Sequence, residues 1–337
     1  INYATLTLNN DSGLKTQNNN RIGDTVPVAL RGGTISYTGR VSTAATETFG
    51  ALTLAQGANT LTATTGGGTV TSVDLTFASL TRQNNATINF TGTNLGQQGN
   101  NSRIVFTSPI PTTNGGMIGA WAVANQNDYA AYSTGLGVGI VGQGGFVGYD
   151  GGSGAGMIWQ IPVVAATTTT LPAGTTNAAV LRLAGAFTND IAFTNAGDVL
   201  NLELGGLLRS NDNNASTIGT TAIRGVLTSG SGELITYNHQ NTLTINSVIQ
   251  GAGTKYIKDG ASIATLTAAN TYGGGTVVNR GTLNITPTVT DGSVVVIPAG
   301  GLVINGGLQG AGVTVNLNTS NAIAASTDLT MNGRANL

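Results

Sequence analysis

The side chains able to do acid, base or metal chemistry are few. Thirteen Lys and Arg, fourteen Asp and Glu and one histidine, His239, are spread over 337 residues, and there is no cysteine. Polysaccharide lyases and hydrolases need clustered carboxylates, usually beside Arg or Lys, for proton transfer or Ca²⁺. Here the acids stand apart. The nearest grouping is Asp190, Asp198 and Glu203 with Arg182 and Arg209; a coil of about 20 residues would bring Asp190 and Arg209 onto neighbouring rungs. The simpler reading of these acids is turn residues that cap backbone amides. His239, in Asn238-His-Gln240, reads as an exposed turn residue with no triad around it. The run Gly151–Trp159 has the glycine spacing of a calcium-binding nonapeptide but carries Gly156 where the liganding Asp belongs. Asn211–Asn214 reads as a solvated turn, and Gly135-x-Gly137-x-Gly139 lacks the helix and charge of a dinucleotide site. The residue types therefore give no catalytic set, no cofactor and no metal.

Composition points the same way. Charged residues make up 8%, against about 25% in an average globular domain. Net charge is −1, so a basic face for nucleic acid is missing. No apolar run is long enough to span a membrane as a helix. With 40% hydrophobic residues the chain can bury a large core, and its wealth of Thr, Asn and Gly without Cys fits an extracellular β-structure.

The elements that would position any site are strands. Apolar and polar residues alternate over short runs bounded by Gly and Asn: 4–8, 51–54, 59–63, 87–90, 243–245, 276–278, 282–285 and 294–297. Such strands are too short and too many for one sandwich. Glycine pairs recur at Gly32-Gly33, Gly66-Gly67, Gly205-Gly206, Gly273-Gly274, Gly300-Gly301 and Gly306-Gly307, as corners of a coil require. Asparagine at turn edges can stack into ladders. The expectation is an all-β, right-handed parallel β-helix over 1–337, with Leu, Val and Ile inward and Thr and Asn outward or at corners. At roughly 20 to 25 residues a coil it would hold about 15 coils, a rod of roughly 70 Å.

One block breaks the rhythm. Between 108 and 166 lie Trp121, Tyr129, Tyr132, Phe146, Tyr149 and Trp159, with three prolines. Residues 121–123 and 129–132 read as strand, turn, strand, and 135–156 as a glycine-dense loop. The block is expected as an insertion or widened coil off the regular stack. Its six aromatics are the candidate contact surface, because aromatics dominate interface energetics.

At 241–285 the chain resembles the autotransporter-associated β-strand repeat. The resemblance rests on Gly251, Gly253, Lys258, Gly260, Leu266, Asn270, Thr271, Tyr272, Gly274, Thr276, Val278, Gly281, Thr282 and Leu283. Ala268 stands where that family often has Gly, and Asp259 separates Lys258 from Gly260. A looser resemblance to long modules of giant secreted bacterial surface proteins lies at 20–24, 30–34, 48–54 and 116–121. The resemblance implies a right-handed parallel β-helix in an exported or surface-anchored bacterial protein, with no catalysis. The stretch 321–333 also echoes 20–32 at an offset of 301 residues.

The reading is a non-enzymatic structural segment of a secreted or cell-surface β-solenoid, a stiff rod or fibre serving adhesion or surface architecture. Its partners are further copies or modules of the same kind, end to end or lateral, and surface glycans; Thr167–Thr170 and other surface hydroxyls are candidate glycan carriers. The alternatives are a filament assembled end to end from separate chains and a carbohydrate-active or carbohydrate-binding β-helix. Strand alternation at 1–8 and 329–337, with no polar cap at either, predicts continuation into more β-helix at both.

Overall fold

The computed structural model describes residues 1–11, 18–68, 72–97, 99, 101–162, 164–210, 214–288, 294–307 and 312–337. Among them there is no helix, and so none long and apolar enough to cross a membrane. The chain divides into two compact units, Ile1–Gly148 and Tyr149–Leu337. The boundary falls inside the block expected as one insertion.

Each unit is built on a stack of parallel strands, to which the first adds an antiparallel ribbon. In the first, three faces follow one another along the chain. One face stacks Thr5–Asn9, Thr34–Thr38, Ala58–Thr64 and Thr87–Gly92 in parallel register. The next stacks Ala45–Phe49, Val73–Phe77 and Ser102–Phe106. The last stacks Val28–Arg31, Leu52–Gln56 and Leu80–Arg82. Alternation does what period-two geometry requires: in Ala58–Thr64 the burial runs half-buried, buried, half-buried to the end, and Leu61 and Ala63 point into the core. Columns of like residues result. Phe49, Phe77 and Phe106 are register partners with ring centroids 5.3 Å and 5.9 Å apart, within the range of favourable offset stacking.

The second unit has two long faces and a shorter one. One long face runs from Ile158–Ile161 through Glu233–Asn238 and Lys255–Asp259 to Asp328–Asn332, and the other from Thr167–Leu171 to Ala335–Asn336. Val226–Ser229 and Val248–Ile249 continue the short face. Coil length, read as the offset between register partners on the first long face, spans 20 residues at Ile257–Val277 to 29 at Gly206–Ile235. Two long strands, Thr175–Leu183 and Val199–Arg209, turn a corner without breaking. The register between them shifts from Ala178 facing Leu202 to Val180 facing Gly206, so the extra residues lie in the second strand. The second uses Gly205, whose φ of 78° only glycine adopts freely.

The glycine pairs divide two tasks. Gly32, Gly67, Gly205 and Gly300 take positive φ, while Gly273 and Gly274 do not. Those two serve close approach: a Cβ on either would collide with backbone of the preceding coil at Ala252, Gly253 or Thr254. The expected asparagine stacks are present. Asn332 donates to Asn305 (3.0 Å) and Asn305 to Asn279 (2.8 Å); Asn316 donates to Asn284 and Asn201 to Asn177.

Four expectations need correction. Residues 294–297 form no strand; Ile297 makes a single bridge to Ile323, although Val296 and Ile297 are buried. Within 135–156, expected as loop, Gly137–Ile140 is a strand antiparallel to Asp128–Ser133. Apolar residues do not point only inward. On the first long face, Trp159, Leu181 and Leu207 belong to the interior cluster, yet their neighbours Ile158, Val180 and Leu208 are equally buried. Ile235, Ile257 and Val277 continue the column of Ile158 and Val180, so this sheet is covered on both sides, as parallel sheets usually are. Finally, His239 is half-buried rather than exposed, with its Nδ1 enclosed and unpaired, and burial followed by the charge of Arg280 lowers its pKa.

Candidate functional site

Two regions were singled out by sequence: the aromatic block and the repeat. In the first unit, the parallel stack continues from Thr87–Gly92 to Ala122–Ala124 and then reverses. Asp128–Ser133 runs antiparallel to Ala122–Ala124, and Gly137–Ile140 antiparallel to Asp128–Ser133. The turn 125–127 is built on Asn125 and Gln126, both at positive φ, and Asn89 Oδ1 accepts the Gln126 amide at 3.0 Å.

The six aromatics have different fates. Tyr129 is 1% exposed and offers no surface. Trp159 is 6% exposed and sits in Ile158–Ile161, in parallel register with Val180–Leu183; it lies within the stack, contrary to expectation. Trp121 is half-buried, with the Arg82 guanidinium 5.4 Å from its ring centroid, and Tyr149 holds Arg182 in the same way at 5.1 Å. Tyr132 is half-buried and locked: its hydroxyl donates to Phe106 O (2.8 Å) and accepts from Phe106 N (3.1 Å). Phe146 is half-buried on bare backbone, since a Cβ at Gly139 would collide with its ring. Tyr132 and Phe146 are walls of one open cleft, and Trp121 packs with Tyr132 against the core of the first unit.

The repeat shows the opposite economy. Lys258 is fully buried in Lys255–Asp259. Its ammonium donates to three carbonyls: Gly260 O at 2.5 Å, Ser262 O at 2.5 Å and Arg280 O, one coil on, at 2.7 Å. A Cβ at Gly281 would occupy the space of Nζ, which explains why the motif pairs this lysine with that glycine. Burial pushes the Lys258 ammonium down to about 7, with Asp259 opposing the shift and Arg280 adding to it. Asn270 joins three coils: its Oδ1 accepts from Ile249 N and its Nδ2 donates to Val296 O, both at 2.8 Å. The Tyr272 hydroxyl pairs with Thr276 Oγ1 at 2.6 Å, and its ring lies 6.2 Å from that of Tyr256, whose hydroxyl meets Thr236 Oγ1 at 2.9 Å. Leu266, Val278 and Leu283 fill the core between them. The polar motif residues Lys258, Asn270 and Tyr272 thus make hydrogen bonds within or between coils.

Asp190, Asp198 and Arg209 behave as capping groups, while Arg103 and Asp74 form an ion pair between neighbouring coils. Asp198 accepts from Gly174 N (2.7 Å) and Asn195 N (2.6 Å), and Asp190 from Thr217 N (2.6 Å). Those backbone hydrogen bonds hold the Asp198 carboxyl below its ordinary range. Arg209, 1% exposed, donates to the carbonyls of Leu183, Phe187 and Asn214. Asp190 and Arg209 do not meet. Among the described residues no three His, Asp or Glu gather closely enough to hold a metal; of Asn211–Asn214, only Asn214 lies within them. Sequence reasoning missed Glu47. It occupies the core column of Leu75 and Ile104, fully buried, and its carboxylate accepts the amides of Arg21 and Ile22. A lone acid within an alternating strand, at an apolar position, was the available signal.

A coil whose distinctive residues serve the joints between rungs is a structural β-solenoid coil. Residues 257–285 match the family model of the passenger-associated-transport-repeat. No curated protein and no solved structure matches the chain. The match lies inside the 241–285 run that resembles the autotransporter-associated repeat.

Proposed function

We propose that this chain is a non-enzymatic structural segment of a secreted or surface-exposed autotransporter-type passenger, a stiff β-helical rod serving surface architecture and adhesion. The observation that carries the reading is the repeat itself: its motif lysine, asparagine and tyrosine are consumed in holding coils together. Uniform backbone pairing between coils supports resistance to proteolysis. Full-length protein imaged by electron microscopy should appear as straight rods; compact particles would refute the reading.

A second element concerns partners. Leu329 and Met331 are 47% and 44% exposed, whereas their register partners Leu302 and Ile304 are 1% and 0% exposed. The Asn279–Asn305–Asn332 ladder reaches the same rung. An apolar-x-apolar-Asn strand of a second copy would complete both columns. Replacing Leu329 and Met331 by Asp should abolish concentration-dependent self-association in sedimentation experiments if the partner is a second copy. Protein that stays monomeric at every concentration would refute a second copy as the partner.

A further inference from the structure

We propose that the open cleft between the turn at 112–116 and the loop at 145–147 binds a neutral oligosaccharide chain. This goes beyond the rod reading and stands or falls separately from it.

The cleft has a volume of about 610 Å³ and no charged residue in its lining. An anionic or cationic ligand would enter without a counter-charge, so the complementary ligand is neutral. Tyr132 and Phe146 supply apolar ring surface. Both rings are fixed before any ligand arrives: Tyr132 by the two hydrogen bonds of its hydroxyl to Phe106, Phe146 by its seat on Gly139. Fixed rings lose little entropy on binding. The opposite wall turns sharply, with Asn114, Gly115 and Gly116 at φ of 46°, 76° and 132°.

Around these rings stand the hydroxyls of Thr112, Ser133 and Thr134, none of which hydrogen-bonds to another described residue. A hydroxyl both donates and accepts, and so matches the hydroxyls of a sugar, while the C–H face of a pyranose matches an aromatic ring. The accessible lining of the cleft is more polar than apolar, which suits a ligand covered in hydroxyls rather than an apolar one. A second open cavity, of about 440 Å³, lies across the same loop and shares Gly145; Gln97 and Gln143 line it. The volume of the first cleft alone exceeds that of one pyranose ring, which favours a chain of sugars over a monosaccharide.

The test is calorimetric titration of the full chain with cello-, laminari-, malto-, manno- and chitohexaose, with a polygalacturonate hexamer as anionic control and a pool of neutral octapeptides as competitor class. At least one neutral hexaose should bind and the anionic one should not. Thr112 and Thr134 are exposed, so Thr112→Glu and Thr134→Glu should leave the unfolding midpoint unchanged while each weakens binding about tenfold or more, some 1.4 kcal/mol. Absence of binding to every hexaose at millimolar concentration overturns the proposal. So does binding that ignores both substitutions, equal binding of the anionic hexamer, or preference for the peptides.

Discussion

The coils around Lys258 and the strands around Tyr132 solve the same problem in opposite ways. In the repeat, each strand has a parallel neighbour on the next coil, and the polar motif groups Lys258, Asn270 and Tyr272 are turned inward and satisfied. In the block from Ala122 to Ile140 the chain reverses twice into an antiparallel ribbon. Columns cannot continue through a reversal, and large side chains are left half out. The lesson is that a solenoid conceals its chemistry where it is regular and shows surface where it stops being so.

The comparison can be broken first at Phe106, which joins coil to ribbon. Its ring packs on Phe77 and Phe90 and lies 6.0 Å from that of Tyr132. Phe106→Ala should cost about 3–5 kcal/mol in denaturant unfolding of the first unit, and hydrogen exchange at Asp128–Ser133 should accelerate along with that at Val73–Phe77. Acceleration confined to one of the two would show that ribbon and coil unfold independently.

Next in size is the lysine cage. Lys258→Met takes the ammonium donor from the carbonyls of Gly260, Ser262 and Arg280, of which only Ser262 O keeps another donor among the described residues, the Thr282 amide, a loss of about 2–3 kcal/mol. Exchange should rise at Lys255–Asp259 and Ile263–Leu266 while Ala122–Ala124 is unmoved. A loss below about 1 kcal/mol, the scale of one ordinary hydrogen bond, would mean that the cage is not what clamps these coils.

The pH profile sharpens the same contrast. The Lys258 ammonium falls from an ordinary 10.5 to about 7 on folding. Between those values the unfolded chain holds a proton that the folded chain has released, so stability rises with pH across that window. Burial raises the pKa of Tyr237, Tyr256 and Tyr272 above their ordinary 10.0. Their contribution is complete below pH 10 and is lost above it. The unfolding free energy of the second unit should therefore climb from pH 7 to about 10 and then decline, and Lys258→Met should flatten the climb. A climb that survives the substitution would place its source elsewhere.

The smallest effect belongs to the half-exposed rings. Arg82→Ala removes the cation over Trp121, worth about 0.5–1 kcal/mol, and should shift Trp121 fluorescence more visibly than it shifts the midpoint. A larger loss would show that this edge is interior after all.

Much of the fold was legible in the sequence. Strands at 243–245, 276–278 and 282–285 stand where alternation put them, because a pleated strand with one buried side writes its period into the order of residues. The candidate surface was less legible. Aromatic content located the block, but Tyr129 and Trp159 proved buried, since residue type does not say which side of a strand is covered.

What the sequence determined by itself was the local rule: short strands, glycine where the backbone must turn or touch, and one repeat dense enough in motif to be recognised. Tertiary structure decided everything that depends on a neighbour 20 to 30 residues away. It placed Glu47 in a column of Leu75 and Ile104, gave Lys258 the carbonyl of Arg280, and aligned Phe49, Phe77 and Phe106. Along the second unit the offset between register partners varies from 19 residues at Ile263–Thr282 to 32 at Thr282–Thr314, so no fixed spacing in the sequence announces which residues meet. Register is set by the packing of whole coils, and only the folded stack fixes it.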